Sequence, residues 1–207
     1  IIDRTLGSPH GEQAYRIVEA LTDAGYEAWW VGGGVRDMLL GSVPDDIDIA
    51  TNAQPDVITT LFPKCDDSSA AFGSLLVSQS GHTFEVTTFR EDDMASDGRH
   101  PESVVFSTRE NDANRRDFTV NALYWQPISG ELYDPHEGEK DLNEKMIRFI
   151  GLPEVRVEHD ALRMLRAIRF RSHINGQYHP DTFRTLHMMA ENIRILSGTR
   201  ICTELEK

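Results

Sequence analysis

Cysteine is scarce in this chain: Cys65 and Cys202 are the only two in 207 residues. They stand far apart without metal-ligand spacing, so no disulfide is expected and the reduced thiols of a cytoplasmic protein are the default. Long apolar runs are missing as well. None approaches the length of a membrane span, and the first residues do not read as a signal peptide, so no membrane partner is expected. Basic residues are outnumbered, 21 Lys and Arg against 34 Asp and Glu, for a net charge of −13. A chain that binds nucleic acid ordinarily shows a basic face, which makes this balance awkward for such a role. The imbalance is local, however. Residues 1–108 hold 6 Lys and Arg against 18 Asp and Glu, and the remainder 15 against 16. The front is acidic, as a metal site requires, and the basic residues gather behind it. A nucleic acid would draw much of its grip from residues not in this chain. The eight histidines show no ligand spacing, and His136, His159 and His187 read as surface or structural residues.

What is present is enough length for one sizeable domain or two small ones, and one stretch dense in chemistry. WWVGGGVRD at 29–37 runs from an apolar strand end through three glycines into a short helix, and DDIDIAT follows at 45–51. On a strand, Asp46 and Asp48 share one face while Ile47 and Ile49 turn to the core. Two adjacent carboxylates repel unless a cation neutralises them. Their oxygens suit Mg²⁺, which brings substrate phosphates with it. Gly32 and Gly33 let backbone N–H groups approach an anion, and the helix start adds a favourable dipole. Taken singly, a glycine run is a tight turn and Asp-x-Asp a solvated strand edge. In this order they form a phosphate cradle beside a metal site, the layout of phosphoryl transfer.

Along the chain, residues 12–24 have helical apolar spacing closed by Gly25, and 27–31 read as a strand whose Trp29 and Trp30 belong to the scaffold. Asp46–Ala50 reads as a second strand, followed by a short helix from Pro55 to Phe62. Residues 75–89 form a hairpin about Ser80-Gly81, with Glu85 on its second strand. Residues 90–102 are polar and broken by glycine and proline, a surface loop. Strands are expected at 104–106, 130–135 and 145–151, with a helical turn at 137–143. From Pro153 the pattern turns helical, which sets a boundary at residue 150. One helix is expected over 153–172, with Ala161, Met164, Leu165 and Ile168 on its core side. Arg163, Arg166 and Arg169 line another side without matching acids, Asp160 at their edge. A further helix covers 179–193, and GTRICTELEK reads as a helix running off the end.

Gly32-Gly33 followed by Asp46-Ile47-Asp48 resembles the pattern of the polymerase-β-like nucleotidyltransferases. The fuller string GGGVRDMLLG with DDIDIAT resembles a narrower group, the class II tRNA nucleotidyltransferases (CCA-adding enzymes) and their bacterial poly(A) polymerase relatives. That resemblance implies an α+β fold: a nucleotidyltransferase head over 1–150, with a mixed or antiparallel sheet flanked by helices, then an all-helical neck over 151–207. It implies Asp46 and Asp48 as ligands of two Mg²⁺ ions and Glu85 as a third catalytic carboxylate. Gly32, Gly33 and Arg36 would hold phosphates. Arg115-Arg116-Asp117 with Asn121 resembles the family's segment for triphosphate and ribose, where a guanidinium grips phosphate and a short polar side chain reads a hydroxyl. The stretch 90–102, with Arg99, Pro101, Glu102 and Ser103, looks like the family's flexible loop for switching between C and A addition.

Asp160 and Arg163, one turn apart, suit a particular task. A carboxylate accepts from an exocyclic amine and a guanidinium donates to a ring nitrogen or carbonyl. Cytosine and adenine both fit. Uracil and guanine reverse both groups, at about 1–3 kcal/mol for each buried group left unpaired. HDALRMLRAIRF resembles the family's base-reading motif, implying Asp160 and Arg163 as readers with Arg166 and Arg169 near the nucleotide. His159 stands where the family usually has Glu, and the loop before Arg115 is about a residue shorter than expected. The implied reaction is template-independent transfer of CMP and AMP from CTP and ATP to a tRNA 3′ end. Rival readings are a poly(A) polymerase or a CC- or A-only enzyme of the same family, and, from another class, a catalytically silent nucleotide- or RNA-binding module.

Overall fold

The computed structural model describes residues 1–91 and 104–206. Helices α1 (Ile2–Leu6) and α2 (Pro9–Asp23) lead to strand β1 (Ala28–Val31), helix α3 (Gly33–Leu39) and strand β2 (Asp48–Thr51). Helix α4 (Pro55–Leu61) precedes strands β3 (Cys65–Asp66), β4 (Ser74–Gln79), β5 (His82–Thr88) and β6 (Arg90–Glu91). Next come β7 (Val105–Phe106), α5 (Arg109–Arg115), β8 (Tyr124–Gln126), β9 (Glu131–Tyr133), α6 (Gly138–Asn143) and β10 (Met146–Ile147). The last part comprises α7 (Pro153–His159), α8 (Leu162–His173), β11 (Gln177–Tyr178), α9 (Pro180–Met188) and α10 (Gly198–Leu205). The surface loop expected at 90–102 lies outside the described residues, apart from Arg90 and Glu91, which form β6. No helix among those residues is long and apolar enough to cross a membrane.

The fold is α+β. A seven-stranded sheet runs in the order β3-β4-β5-β2-β1-β8-β9. Its pairs are antiparallel except β2 with β5, which are parallel, so the sheet is mixed. Strand alternation divides its residues between two cores. Trp30 and Ile49 join the larger one with Ile17, Leu21 and Met38 of the helices. Trp29, Val31, Ala50, Phe89 and Tyr124 make a smaller core under Ala113 of α5. The β4–β5 hairpin turns on Ser80 and Gly81, both at positive φ (49° and 85°), as a two-residue turn matched to strand twist requires.

Three expectations change here. Asp46 lies in the approach to β2 rather than on it, because pairing with β1 begins at Asp48 opposite Val31. The helix expected over 153–172 is broken. Asp160 is extended (φ −152°), and its carboxylate accepts the Leu162 N–H at 3.1 Å, a local bond that competes with the helical ladder. Starting afresh at Leu162, α8 buries Met164, Leu165, Ala167 and Phe170 and leaves Ile168 51% exposed. The region after 151 is not purely helical either: β11 pairs in parallel with β10.

Candidate active site

The carboxylate end is set by register. Ile49 pairs with Val86 across the parallel β2–β5 ladder, so one step back places Glu85 beside Asp48. Glu85 is exposed and accepts a hydrogen bond from Ser74 Oγ at 2.6 Å. Burial pushes the Asp48 carboxyl up to about 7; the Asp46 and Glu85 charges add to the rise and Arg116 opposes it. The third glycine has a separate purpose. A Cβ on Gly34 would stand 2.7 Å from the Asp46 carbonyl oxygen, so only glycine lets α3 lie against the aspartate segment. Gly32 sits at φ 68°, and its N–H is already bonded to the Leu123 carbonyl at 3.1 Å. The amides offered to an anion therefore begin at Gly33.

Arg116 is held from behind. Its Nε donates to Tyr124 Oη at 2.9 Å and its Nη2 to Asp112 at 3.2 Å, while Tyr124 donates to the same Asp112 oxygen at 2.6 Å. Arg115 adds a second ion pair to Asp112 at 2.7 Å. Asp112 is only 1% exposed. Burial favours its neutral form, but the Arg116 and Arg115 charges and the Tyr124 hydroxyl outweigh that and hold the carboxyl below the ordinary range. At the other end of α5, Arg109 lies over Trp29 and Tyr133, 4.2 and 4.0 Å from their ring centres, and pairs with Glu27 at 2.7 Å. Both ends of α5 are thus fastened to the small core.

A second network joins α3 to α8. Arg36 is buried, and its guanidinium donates to Asp37 at 2.9 Å and to Asn121 Oδ1 at 2.7 Å, with His173 Nε2 3.4 Å away. Asn121 donates in turn to Asp117 at 3.1 Å, and Arg166 pairs with the other Asp117 oxygen at 2.7 Å. Arg169 pairs with Glu204 at 2.6 Å. Arg166 and Arg169 of α8, expected to lack acids, draw them from distant segments that a helical period does not reveal. Arg163 donates to the Arg156 carbonyl at 3.1 Å.

These networks enclose one cavity of about 660 Å³, within the roughly 300–1,000 Å³ range of small-molecule sites. The β1–α3 turn and the approach to β2 supply Gly32, Gly33, Arg36, Asp46 and Asp48; the α5 end and the 3₁₀ turn after it supply Arg115, Arg116, Asp117 and Asn121. Asp160, Arg163, Arg166, Arg169 and Phe170 come from the α7–α8 break and α8. Glu85 is the one expected site residue outside this lining; it opens with Asp48, Arg115 and Arg116 onto a smaller recess of about 150 Å³. Sequence reasoning missed Gly34, Asp112, Tyr124 and Glu204. Asp112 had a signal, since it lies three and four residues before Arg115 and Arg116 at helical ion-pair spacing. Tyr124 and Glu204 had none.

Asp46 and Asp48 offer the oxygens that a hard divalent cation prefers, and the raised Asp48 carboxyl marks a place where added positive charge is stabilising. Among the described residues no three His, Cys, Asp or Glu side chains are grouped to hold a metal ion, so substrate oxygens would have to complete such a site. The sequence matches the family described as the poly A polymerase head domain over residues 28–148. The chain belongs to that family. It is 41% identical over 200 residues to the CCA-adding enzyme of Geobacillus thermodenitrificans, covering 96% of this chain and 49% of that protein. It is 40% identical over 197 residues to that of Levilactobacillus brevis, covering 95% and 49%. The crystal structure of the Bacillus stearothermophilus CCA-adding enzyme in complex with CTP superposes with a TM-score of 0.87 at 38% identity, over 96% of this chain and 48% of the other. A tRNA nucleotidyltransferase complexed with a primer tRNA and an incoming ATP analog gives 0.72 at 26% identity, over 92% and 55%. As a member of the poly A polymerase head domain family, the chain spans about half the length of these relatives.

Proposed function

We propose that the chain is the nucleotidyl-transferring portion of a CCA-adding enzyme, joining CMP and AMP from CTP and ATP to a tRNA 3′ hydroxyl without a template. Residues 1–150 would be its catalytic head and 151–207 its neck. The observation that carries this reading is the cavity itself, whose lining brings together Asp46 and Asp48, the Asp160 and Arg163 pair, and Arg36, Arg116, Arg166 and Arg169. The CTP and tRNA complexes of the relatives support nucleotide and tRNA as partners.

In this mechanism the triphosphate lies between the amides beginning at Gly33 and the guanidinium of Arg116. Arg36 is engaged by Asp37 and Asn121, so it acts by fixing Asn121, the residue offered to the ribose. Asp46 and Asp48 would hold Mg²⁺, with Glu85 beside them; bound ions would neutralise phosphate charge and lower the pKa of the attacking hydroxyl. Asp160 accepts from the exocyclic amine of cytosine or adenine, and Arg163 donates to the neighbouring ring nitrogen. Positioning and charge neutralisation suffice, with no covalent enzyme intermediate.

The test is incubation of the protein with Mg²⁺, each labelled nucleoside triphosphate and a tRNA ending before CCA. Addition of C and then A is the expected result. Tailing of any RNA with A alone would point to a poly(A) polymerase. Nucleotide binding without extension would point to a silent binding module.

A further inference from the structure

Helix α10 meets the end of α8 with two charged residues one turn apart, Arg200 and Glu204. Each finds an opposite charge on the base-reading face. Arg200 Nη2 stands 3.0 Å from Asp160 Oδ1 and 3.1 Å from Oδ2. Glu204, 3% exposed, takes Arg169 Nε at 2.6 Å. A single helix therefore engages Asp160 and Arg169, residues near opposite ends of the arginine row.

Counting acceptor positions shows what this does to Asp160. A carboxylate offers roughly four. Oδ1 receives the Leu162 N–H at 3.1 Å and Arg200, and Oδ2 receives Arg200 alone among the described residues. The two contacts on Oδ1 and the shared one on Oδ2 fix the rotation of the carboxylate plane and leave one acceptor position on Oδ2. One N–H of an exocyclic amine fills one position. A base carbonyl, having no hydrogen to give, meets only a second acceptor.

We propose that Arg200 is a specificity-determining positioning residue, which orients the Asp160 carboxylate so that only an amine-bearing base, cytosine or adenine, is accepted. This rests on Asp160 and Arg163 being the base readers. With Arg200 removed, the Asp160 plane turns freely, the amine contact weakens, and discrimination against uracil and guanine falls. Arg200 touches no part of the triphosphate end, so its effect is confined to the base.

The experiment measures equilibrium binding of CTP, ATP, UTP and GTP, with Mg²⁺ present and no RNA, to the wild-type protein and to Arg200→Ala, Arg200→Lys and Asp160→Ala. Arg200 is 42% exposed at its side chain, and a melting curve for each variant reports its folding. For Arg200→Ala the expectation is about tenfold weaker CTP and ATP binding with UTP and GTP unchanged, the loss of one charged hydrogen bond. Arg200→Lys, which keeps a donor cation, should recover part of it. If Asp160→Ala erases selectivity while Arg200→Ala leaves all four affinities at wild-type values, the role of Arg200 is overturned and the base readers stand. Equal weakening of all four in Arg200→Ala overturns it too, since that marks a merely structural contact. If Asp160→Ala keeps full selectivity, the base-reader assignment fails and this inference with it.

Discussion

Asp48 is a side chain whose charge is costly to bury and which the proposed transfer requires. Its carboxyl is pushed up to about 7 by burial first and by Asp46 and Glu85 next, an arrangement that repels a second negative charge and welcomes a cation. Asp48→Asn keeps the shape and removes the charge. Transfer by this variant should fall at least about a hundredfold while its thermal stability holds or rises, as a rate assay beside a melting curve will show. Gly34 is the second decisive residue. Gly34→Ala places a methyl 2.7 Å from the Asp46 carbonyl oxygen. We expect a loss of about 1–3 kcal/mol in denaturant unfolding, as for other overpacked sites. Transfer should decline further than stability, because the atom displaced belongs to the aspartate segment. At this scale the sequence was readable where chemistry needs adjacent residue types, as in Asp46-Ile47-Asp48. It was silent on the reason for the third glycine, which depends on a chain segment a dozen or so residues later coming to rest against it.

Helix α5 is the element that fixes a pair of arginines, Arg115 and Arg116, in the cavity lining. Without Asp112 and Tyr124 behind it, Arg116 is a flexible cation on a solvated helix end; with them it faces Gly32 and Asp48. Asp112 has its carboxyl held below the ordinary value, so the stability it contributes is present above the unfolded-state pKa, about 3.9, and is lost as pH falls through the folded value. Asp112→Asn should cost about 3 kcal/mol at neutral pH, the lower end for breaking a buried pair, because Arg116 keeps some solvent contact. The gap between variant and wild type should narrow below about pH 4, measured by urea unfolding across pH. Helix α5 was not expected from the sequence, since its run RENDANR is polar apart from Ala113 and carries no apolar period. Its anchors, Arg109 over two rings and Asp112 under Tyr124, are tertiary contacts. The break at Asp160 was hidden for a related reason. The run PEVRVEHDALRMLRAIRF has good helix formers on both sides, and only the Asp160 bond to Leu162 interrupts them.

Across the whole molecule, charge and topology account for each other. The chain is acidic, yet its cavity is lined by Arg115, Arg116, Arg163, Arg166 and Arg169 from the end of α5 and from α8, together with Asp46 and Asp48. The acids Asp117 and Glu204 pair with Arg166 and Arg169 and hold them in place. Sheet order, the parallel β2–β5 pair and the return of β11 to β10 arise from contacts distant in sequence, which local periodicity does not encode. The claim on which all else depends is that one nucleotide spans this cleft. The direct measurement is a crystal structure of the protein with CTP and Mg²⁺. The triphosphate should lie against Gly33 and Arg116 beside Asp46 and Asp48, with the cytosine amine on Asp160 and its ring nitrogen on Arg163. CTP bound with its base away from Asp160 and Arg163, or with its phosphates outside the Asp46 and Asp48 end, would contradict it.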